Sequence, residues 1–181
     1  MSPLVADLGD GATLRRYAIE DLESIFSLVE ADRGRLRRWL PWVDQVRTLD
    51  DERAWLEGIL ASESTADQGY GIWDRDGFAG GIGLMLFALS NSADIGYWLG
   101  ASFEGRGLVT RACRPLIDHG FGTLGLHRIT IHCAPDNARS RAVPERLGFT
   151  EEAVLREASR TGDGYEDLVV YGLLDREWPS S

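Results

Sequence analysis

Between Gly69 and Gly100 the chain reads GYGIWDRDGFAGGIGLMLFALSNSADIGYWLG, glycine-rich, aromatic and β-branched, interrupted by the turn signals DRDG and SNSAD. Such a stretch cannot sustain a helix, because glycine costs backbone entropy there and aromatic and β-branched side chains suit a pleated surface. It predicts three consecutive antiparallel strands, Tyr70 to Trp73, Phe78 to Leu89 and Ala93 to Leu99. The middle of the chain is thereby committed to a sheet, and the flanking segments must cover its faces. Upstream, ATLRRY (Ala12 to Tyr17) reads as a strand. EDLESIFSLVEAD then spaces Leu22, Ile25, Phe26 and Val29 along one helical stripe, and DDERAWLEGILASES repeats it with Trp55, Leu56, Ile59 and Leu60. A short helical piece around Arg35 to Leu40 ends at Pro41.

Downstream, Val109, Ala112, Cys113, Leu116, Ile117 and Gly120 form another stripe. RITIHC reads as a strand and DNARSRAVPERLG as a helix closed by Gly148. Two last strands around TEEAVLREAS and EDLVVYGLL flank the turn RTGDGY. The predicted order is β-α-α-β-β-β-α-β-α-β-β: a mixed α/β fold, mostly antiparallel, of about seven strands with helices on both faces, in one domain spanning 1–181. Pro115 and Pro144 fall inside predicted helices and leave the carbonyls of Arg111 and Ser140 without their usual donors, so kinks or late helix starts are expected.

Composition narrows the function classes. The 181 residues carry a formal net charge of −10, which argues against nucleic acid as a partner and is compatible with a cationic acceptor. No apolar run reaches membrane-spanning length and no basic-then-apolar leader follows Met1, so the expectation is a cytoplasmic protein that engages no membrane. Cys113 and Cys133 are the two cysteines, expected as buried inert thiols. His119, His127 and His132 share no ligand spacing, and no metal site is expected.

The segment SFEGRGLVTRA (Ser102 to Ala112) places two glycines around an arginine just before a helix. A helix N-terminus presents unpaired N–H groups and the positive dipole end, which suit a phosphate. The dinucleotide fingerprint fails, because the third glycine is missing and antiparallel strands precede the turn. A P-loop fails for want of Gly-Lys-Ser/Thr.

Taken in order, WLPW, IGYWL, GRGLVTRA, HRITIHC and NARSRAVPERLGF resemble the GNAT superfamily of acyl-CoA-dependent N-acyltransferases. The match is to the RimJ/RimL-like branch, named for enzymes that acetylate amino termini of ribosomal proteins. The resemblance implies a sheet splayed between its fourth and fifth predicted strands, with acetyl-CoA as cosubstrate in the gap. Trp98 and Leu99 would offer backbone groups to the pantetheine arm. Amides from Gly105, Arg106, Gly107, Leu108, Val109 and Thr110 would hold the pyrophosphate, and Asn137 would bond the pantetheine. Glu104 and Val109 depart from the family pattern, and Glu104 is expected to turn outward.

For acyl transfer the amine must be neutral and the departing thiolate must be stabilised. The tyrosine acid of many GNAT enzymes falls on Pro144. In the RimL-like branch the role belongs to a serine, here Ser140, which also touches the cofactor. The branch's glutamate base falls on Ser159. Glu157, on the same strand face if pairing is regular, ranks ahead of Asp94 as the substitute. Trp39 and Trp42 would either line an acceptor wall or pack in the core, and Asp163, Glu166 and Asp167 would either attract a cationic acceptor or serve as plain hairpin charges. The implied activity is transfer of an acetyl group from acetyl-CoA to a primary amine, either a protein N-terminus or a small antibiotic-like amine. A non-catalytic acyl-CoA sensor is the alternative, and a homodimer is among the expectations.

Overall fold

Eight strands are laid down in a computed structural model that describes residues 4–61, 67–161 and 164–179. They are β1 Val5–Gly9, β2 Ala12–Arg16, β3 Gln68–Asp74, β4 Gly77–Phe87, β5 Ser92–Leu99, β6 Arg128–Cys133, β7 Thr150–Thr161 and β8 Gly164–Leu174. Four helices accompany them: α1 Leu22–Leu36, α2 Leu49–Ala61, α3 Leu108–Asp118 and α4 Ala138–Leu147. The strands form one sheet in the order β1-β2-β3-β4-β5-β6-β8-β7. Every neighbouring pair is antiparallel except β5 with β6.

The sequence pattern anticipates seven of these strands and misses β1. That strand buries only Leu8 on folding, so it carries no alternation to detect, and it joins β2 through the turn Gly9-Asp10-Gly11, all three residues with left-handed φ. The helical piece expected near Arg35 is the end of α1, followed by a 3₁₀ turn over Pro41–Asp44.

The two sheet faces are covered unequally. On one, Leu108, Ala112, Cys113, Leu116 and Ile117 of α3 pack with Ile95, Ile129, Ile131 and Cys133 in the main core. Each fully buried Leu or Ile there stabilises the fold by about 2–3 kcal/mol. On the other, Ile25 of α1 and Leu56 of α2 close over Tyr17 and Phe78. Strand parity follows from this layering: Ile95, Ile131 and Cys133 face α3, and Asp94, Thr130 and His132 face the opposite way.

The parallel pair β5–β6 is matched only at Ser92–Arg128, Ala93–Ile129 and Asp94–Thr130. Past that rung β5 runs on to Leu99 beside β4, and β6 runs on to Cys133 beside β8, with no bridge between them. The sheet is split there. The splay expected between the fourth and fifth predicted strands is therefore the β5–β6 slot.

Both prolines lie within their helices. The carbonyl of Ser140, which Pro144 deprives of its helical donor, accepts instead from Tyr97 Oη at 2.9 Å. Asn137 caps α4, its Oδ1 accepting from the Ser140 N–H at 3.2 Å. Helix α3 passes Pro115 and widens into a π turn over His119–Thr123.

Candidate active site

The glycine turn leads from the top of β5 into α3. Gly105 and Gly107 have φ of 76° and 71°, and a Cβ on either would meet nothing within 4 Å. Glycine is required here by backbone conformation, not by crowding. Gly107 is the N-cap residue and supplies no side chain to the helix end, so the first-turn amides are left to a ligand. Leu108 and Val109 are buried and pin that turn to the core, with Thr110 half-buried behind them. The Arg106 guanidinium leaves the turn to bond Asp74 at 2.6 Å and Asp76 at 2.9 Å. Arg106 thus offers its backbone and not its charge.

Glu104 does not turn outward as expected. Its Oε1 accepts from Arg35 of α1 at 2.7 Å and its Oε2 from Arg139 of α4. The acid is neutralised by a cation on each side, which is how a carboxylate can sit beside an anion site. Arg35 also donates to the Leu99 carbonyl at 2.5 Å, so one of the two expected edge groups is already engaged.

On the α3–α4 face of the slot stand Tyr97, Cys133 and Ser140. Ser140 Oγ donates to Tyr97 Oη at 3.3 Å and lies 3.2 Å from Cys133 Sγ. Burial pushes the Tyr97 phenol and the Cys133 thiol up, so both stay protonated at neutral pH, the Tyr97 proton being held by the Ser140 carbonyl. On the opposite face Asp94 accepts through Oδ1 from the Thr130 hydroxyl, and its Oδ2 lies 3.9 Å from His132 Nδ1. Burial raises the Asp94 carboxyl against the opposing charges of His132 and Arg128. Farther up this face Trp98 packs edge-on against Trp42, with ring centroids 5.8 Å apart. Gly81, across from Trp98 on β4, makes the room: a Cβ there would come within 2.7 Å of the indole Nε1.

Residues 12–150 match the acetyltransferase (GNAT) domain family. The chain belongs to the GNAT acetyltransferases. It is 36% identical over 178 residues to the putative ribosomal N-acetyltransferase YdaF of Bacillus subtilis, with 92% of each chain covered. It is 28% identical over 166 residues to the ribosomal-protein-serine acetyltransferase of Escherichia coli, covering 91% of this chain and 93% of that one. Among solved structures it superposes with a TM-score of 0.85 on the microcin C7 self-immunity acetyltransferase MccE in complex with acetyl-CoA and AMP. That match has 28% identity and covers 92% of this chain and 94% of that one. This GNAT protein is accordingly an acetyl-CoA-dependent N-acetyltransferase acting on an amine. Its open, left-handed glycine turn and side-chain-free helix cap fit a pyrophosphate.

Other expected residues of this GNAT enzyme lie less close together. Trp42 reaches Trp98, whereas the Trp39 ring is covered by the Arg38 guanidinium at 4.5 Å. Glu157 lies on the edge strand β7, separated from β6 by β8. The regular pairing that would put Glu157 on the face of Ser159 does not hold. Leu155 pairs with Leu168 and Ser159 with Glu166, so β7 bulges between them, and Glu157 has φ of 53°. Its N–H donates to Asp167 Oδ1 at 2.9 Å, giving Asp167 a structural contact within the hairpin; Asp163 lies outside the described residues. Neither Tyr97 nor His132 carries a motif that marks it as catalytic in the sequence. Strand parity is the signal that could find them: Tyr97 falls on the face of Ile95, and His132, between buried Ile131 and Cys133, falls on the face of Asp94 and Thr130. Among the described residues no helix is long and apolar enough to cross a membrane, and no group of His, Cys, Asp and Glu could hold a metal.

Proposed function

We propose that the acceptor is the free α-amine of a protein N-terminus, which enters on the Asp94 face of the slot. The observation that carries this reading is the separation of hydroxyl from carboxylate: Ser140 stands on one face of the β5–β6 gap and Asp94 on the other. Acetyl-CoA supplies the activated thioester in that gap. Gly105, Gly107, Leu108, Val109 and Thr110 hold its pyrophosphate by backbone amides, Trp98 and Leu99 edge its pantetheine arm, and the Asn137 side-chain amide bonds it. Ser140 then turns its one hydroxyl proton from Tyr97 Oη toward the departing sulfur, a short rotation given the long 3.3 Å bond it leaves. The amine attacks from the other side, where Asp94 favours loss of its proton.

Two features favour an α-amine over a lysine side chain. The position of the branch's glutamate is Ser159. An α-amine titrates near 8 against about 10.4 for lysine, so it needs less help from a base. The names of the relatives point to ribosomal proteins as acceptors. A modifier of that kind works in the cytoplasm, the compartment we assign to it, and light scattering tests whether it works as a homodimer.

A thiol-release assay tests the reading. Peptides with free serine or alanine termini are expected to turn over at least tenfold faster than N-blocked peptides containing lysine. Preference for a small amine over every peptide would move the acceptor class. Tight acetyl-CoA binding with no turnover on any amine would make the protein a sensor.

A further inference from the structure

The rung that closes the slot holds more than a carboxylate. Asp94 and Thr130 are the last matched pair of β5 and β6, and His132 is the next residue of β6 on the same face. The Thr130 hydroxyl occupies Asp94 Oδ1 and leaves Oδ2 toward His132 Nδ1 at 3.9 Å, an ion-pair distance rather than a direct hydrogen bond. The side chain of Asp94 is 18% exposed and that of His132 33%, so the carboxylate sits below and the ring opens to the cleft. The charged groups around them are few. Arg128 of β6 is held by Glu152 of β7, whose carboxylate lies over Gly172 of β8, and the residue of β8 opposite His132 is the uncharged Val170. Arg128 is therefore already paired with Glu152, which leaves Asp94 to act on the imidazole.

We propose that His132 is the catalytic base that takes the proton from the acceptor amine, with Asp94 as its positioning carboxylate. The assignment rests on the amine entering on the Asp94 face. An imidazole as a residue type titrates near neutrality, where a base is most effective, whereas a carboxylate alone is weak at pH 7. The amine nitrogen forms a bond to the thioester carbonyl carbon as the carbon–sulfur bond breaks, and sulfur leaves with the bonding pair. One amine proton passes to His132 Nε2, and from there to solvent or to the released thiolate. The anionic Asp94 stabilises the imidazolium while it carries that proton. The arrangement also gives Thr130 a purpose, since its hydroxyl fixes which carboxylate oxygen faces the ring.

The test uses the full chain with a serine-initiated peptide and acetyl-CoA. His132→Gln is expected to lower kcat by about 100-fold, the scale of losing a general base, with the calorimetric Kd for acetyl-CoA unchanged and the acidic limb of the pH–rate profile gone. Asp94→Asn is expected to shift the His132 imidazole away from the tautomer protonated on Nδ1, the nitrogen that faces the carboxylate, read by nitrogen NMR on the protein without acetyl-CoA. The acidic limb of the pH–rate profile should be displaced in the same variant. A His132→Gln protein within twofold of wild-type kcat and with an unshifted profile overturns the assignment. If wild type acetylates no amine at all, the acceptor reading fails on its own. The tautomer measurement then decides the pair, and a tautomer balance that Asp94→Asn leaves unchanged overturns it.

Discussion

The glycine turn before α3 and the edge strand β7 sit at opposite ends of what a sequence can specify. In the turn, two residues with left-handed φ and an uncapped helix start are fixed by Leu108 and Val109 in the core. Nearly every residue of β7 is exposed, including Val154 and Leu155, and the strand bulges twice against its partner. The first region uses backbone, so its function survives changes of side chain and stays readable in the order of glycines. The second uses side chains whose direction depends on register, and a bulge reverses that direction without leaving a mark in composition. The proposed cofactor site is accordingly the better determined half of this enzyme.

The harshest test of that contrast is Gly107→Val. A β-branched residue at φ of 71° strains the backbone and fills the approach to the amides. Acetyl-CoA affinity measured by calorimetry on the folded variant should fall about 30-fold. Unchanged affinity would remove the pyrophosphate from this turn and leave the backbone half as undetermined as the edge.

Ser140→Ala comes next. In the role proposed for it the hydroxyl acts on the leaving sulfur mainly in the transition state, so kcat should drop about tenfold while the Michaelis constant for acetyl-CoA changes little. Stopped-flow thiol release, with chemistry shown to be rate-limiting, separates the two. Equal changes in both constants would make Ser140 a binding residue only.

How much of this could be read in advance depends on the same distinction. The order of elements, the slot and the glycine turn follow from period, turn chemistry and a family resemblance, all local properties. The bond from Tyr97 to the carbonyl that Pro144 frees joins residues 43 apart, and no local pattern announces it. Glu104 is a sharper case. Read alone, an acid beside an anion site should swing away, yet Arg35 and Arg139, from two other elements, hold it in place. Charge compensation across distant segments is a tertiary fact.

Glu104→Gln measures that compensation. Losing the carboxylate frees Arg35 and Arg139 for phosphate and removes a like charge from the turn. Exposed pairs such as that with Arg139, itself 81% exposed, contribute little individually. Acetyl-CoA should therefore bind about threefold tighter, with a steeper loss of affinity as salt rises. Weaker binding would mean that the two ion pairs hold α1 and α4 in place for the cofactor.

The smallest effect is expected at the carboxylate that the sequence ranks first as the base. Glu157 ranks ahead of Asp94 only if β7 pairs regularly, and the bulge between Leu155 and Ser159 removes that premise. Glu157 is exposed, lies on the outermost strand and has φ of 53°, a conformation that costs a residue with a Cβ about 1 kcal/mol. Its backbone N–H donates to Asp167 Oδ1, a bond that any residue but proline would keep at this position. Glu157→Gln should therefore leave kcat within twofold and the pH–rate profile unmoved. Glu157→Gly should relieve the strain, offset in part by the extra freedom glycine has when unfolded, and raise the thermal midpoint by a degree or two. If instead Glu157→Gln lowered turnover tenfold with the acidic limb displaced, the hairpin would have to fold over the slot during turnover. The edge strand would then be as much a part of the catalytic machinery as the glycine turn.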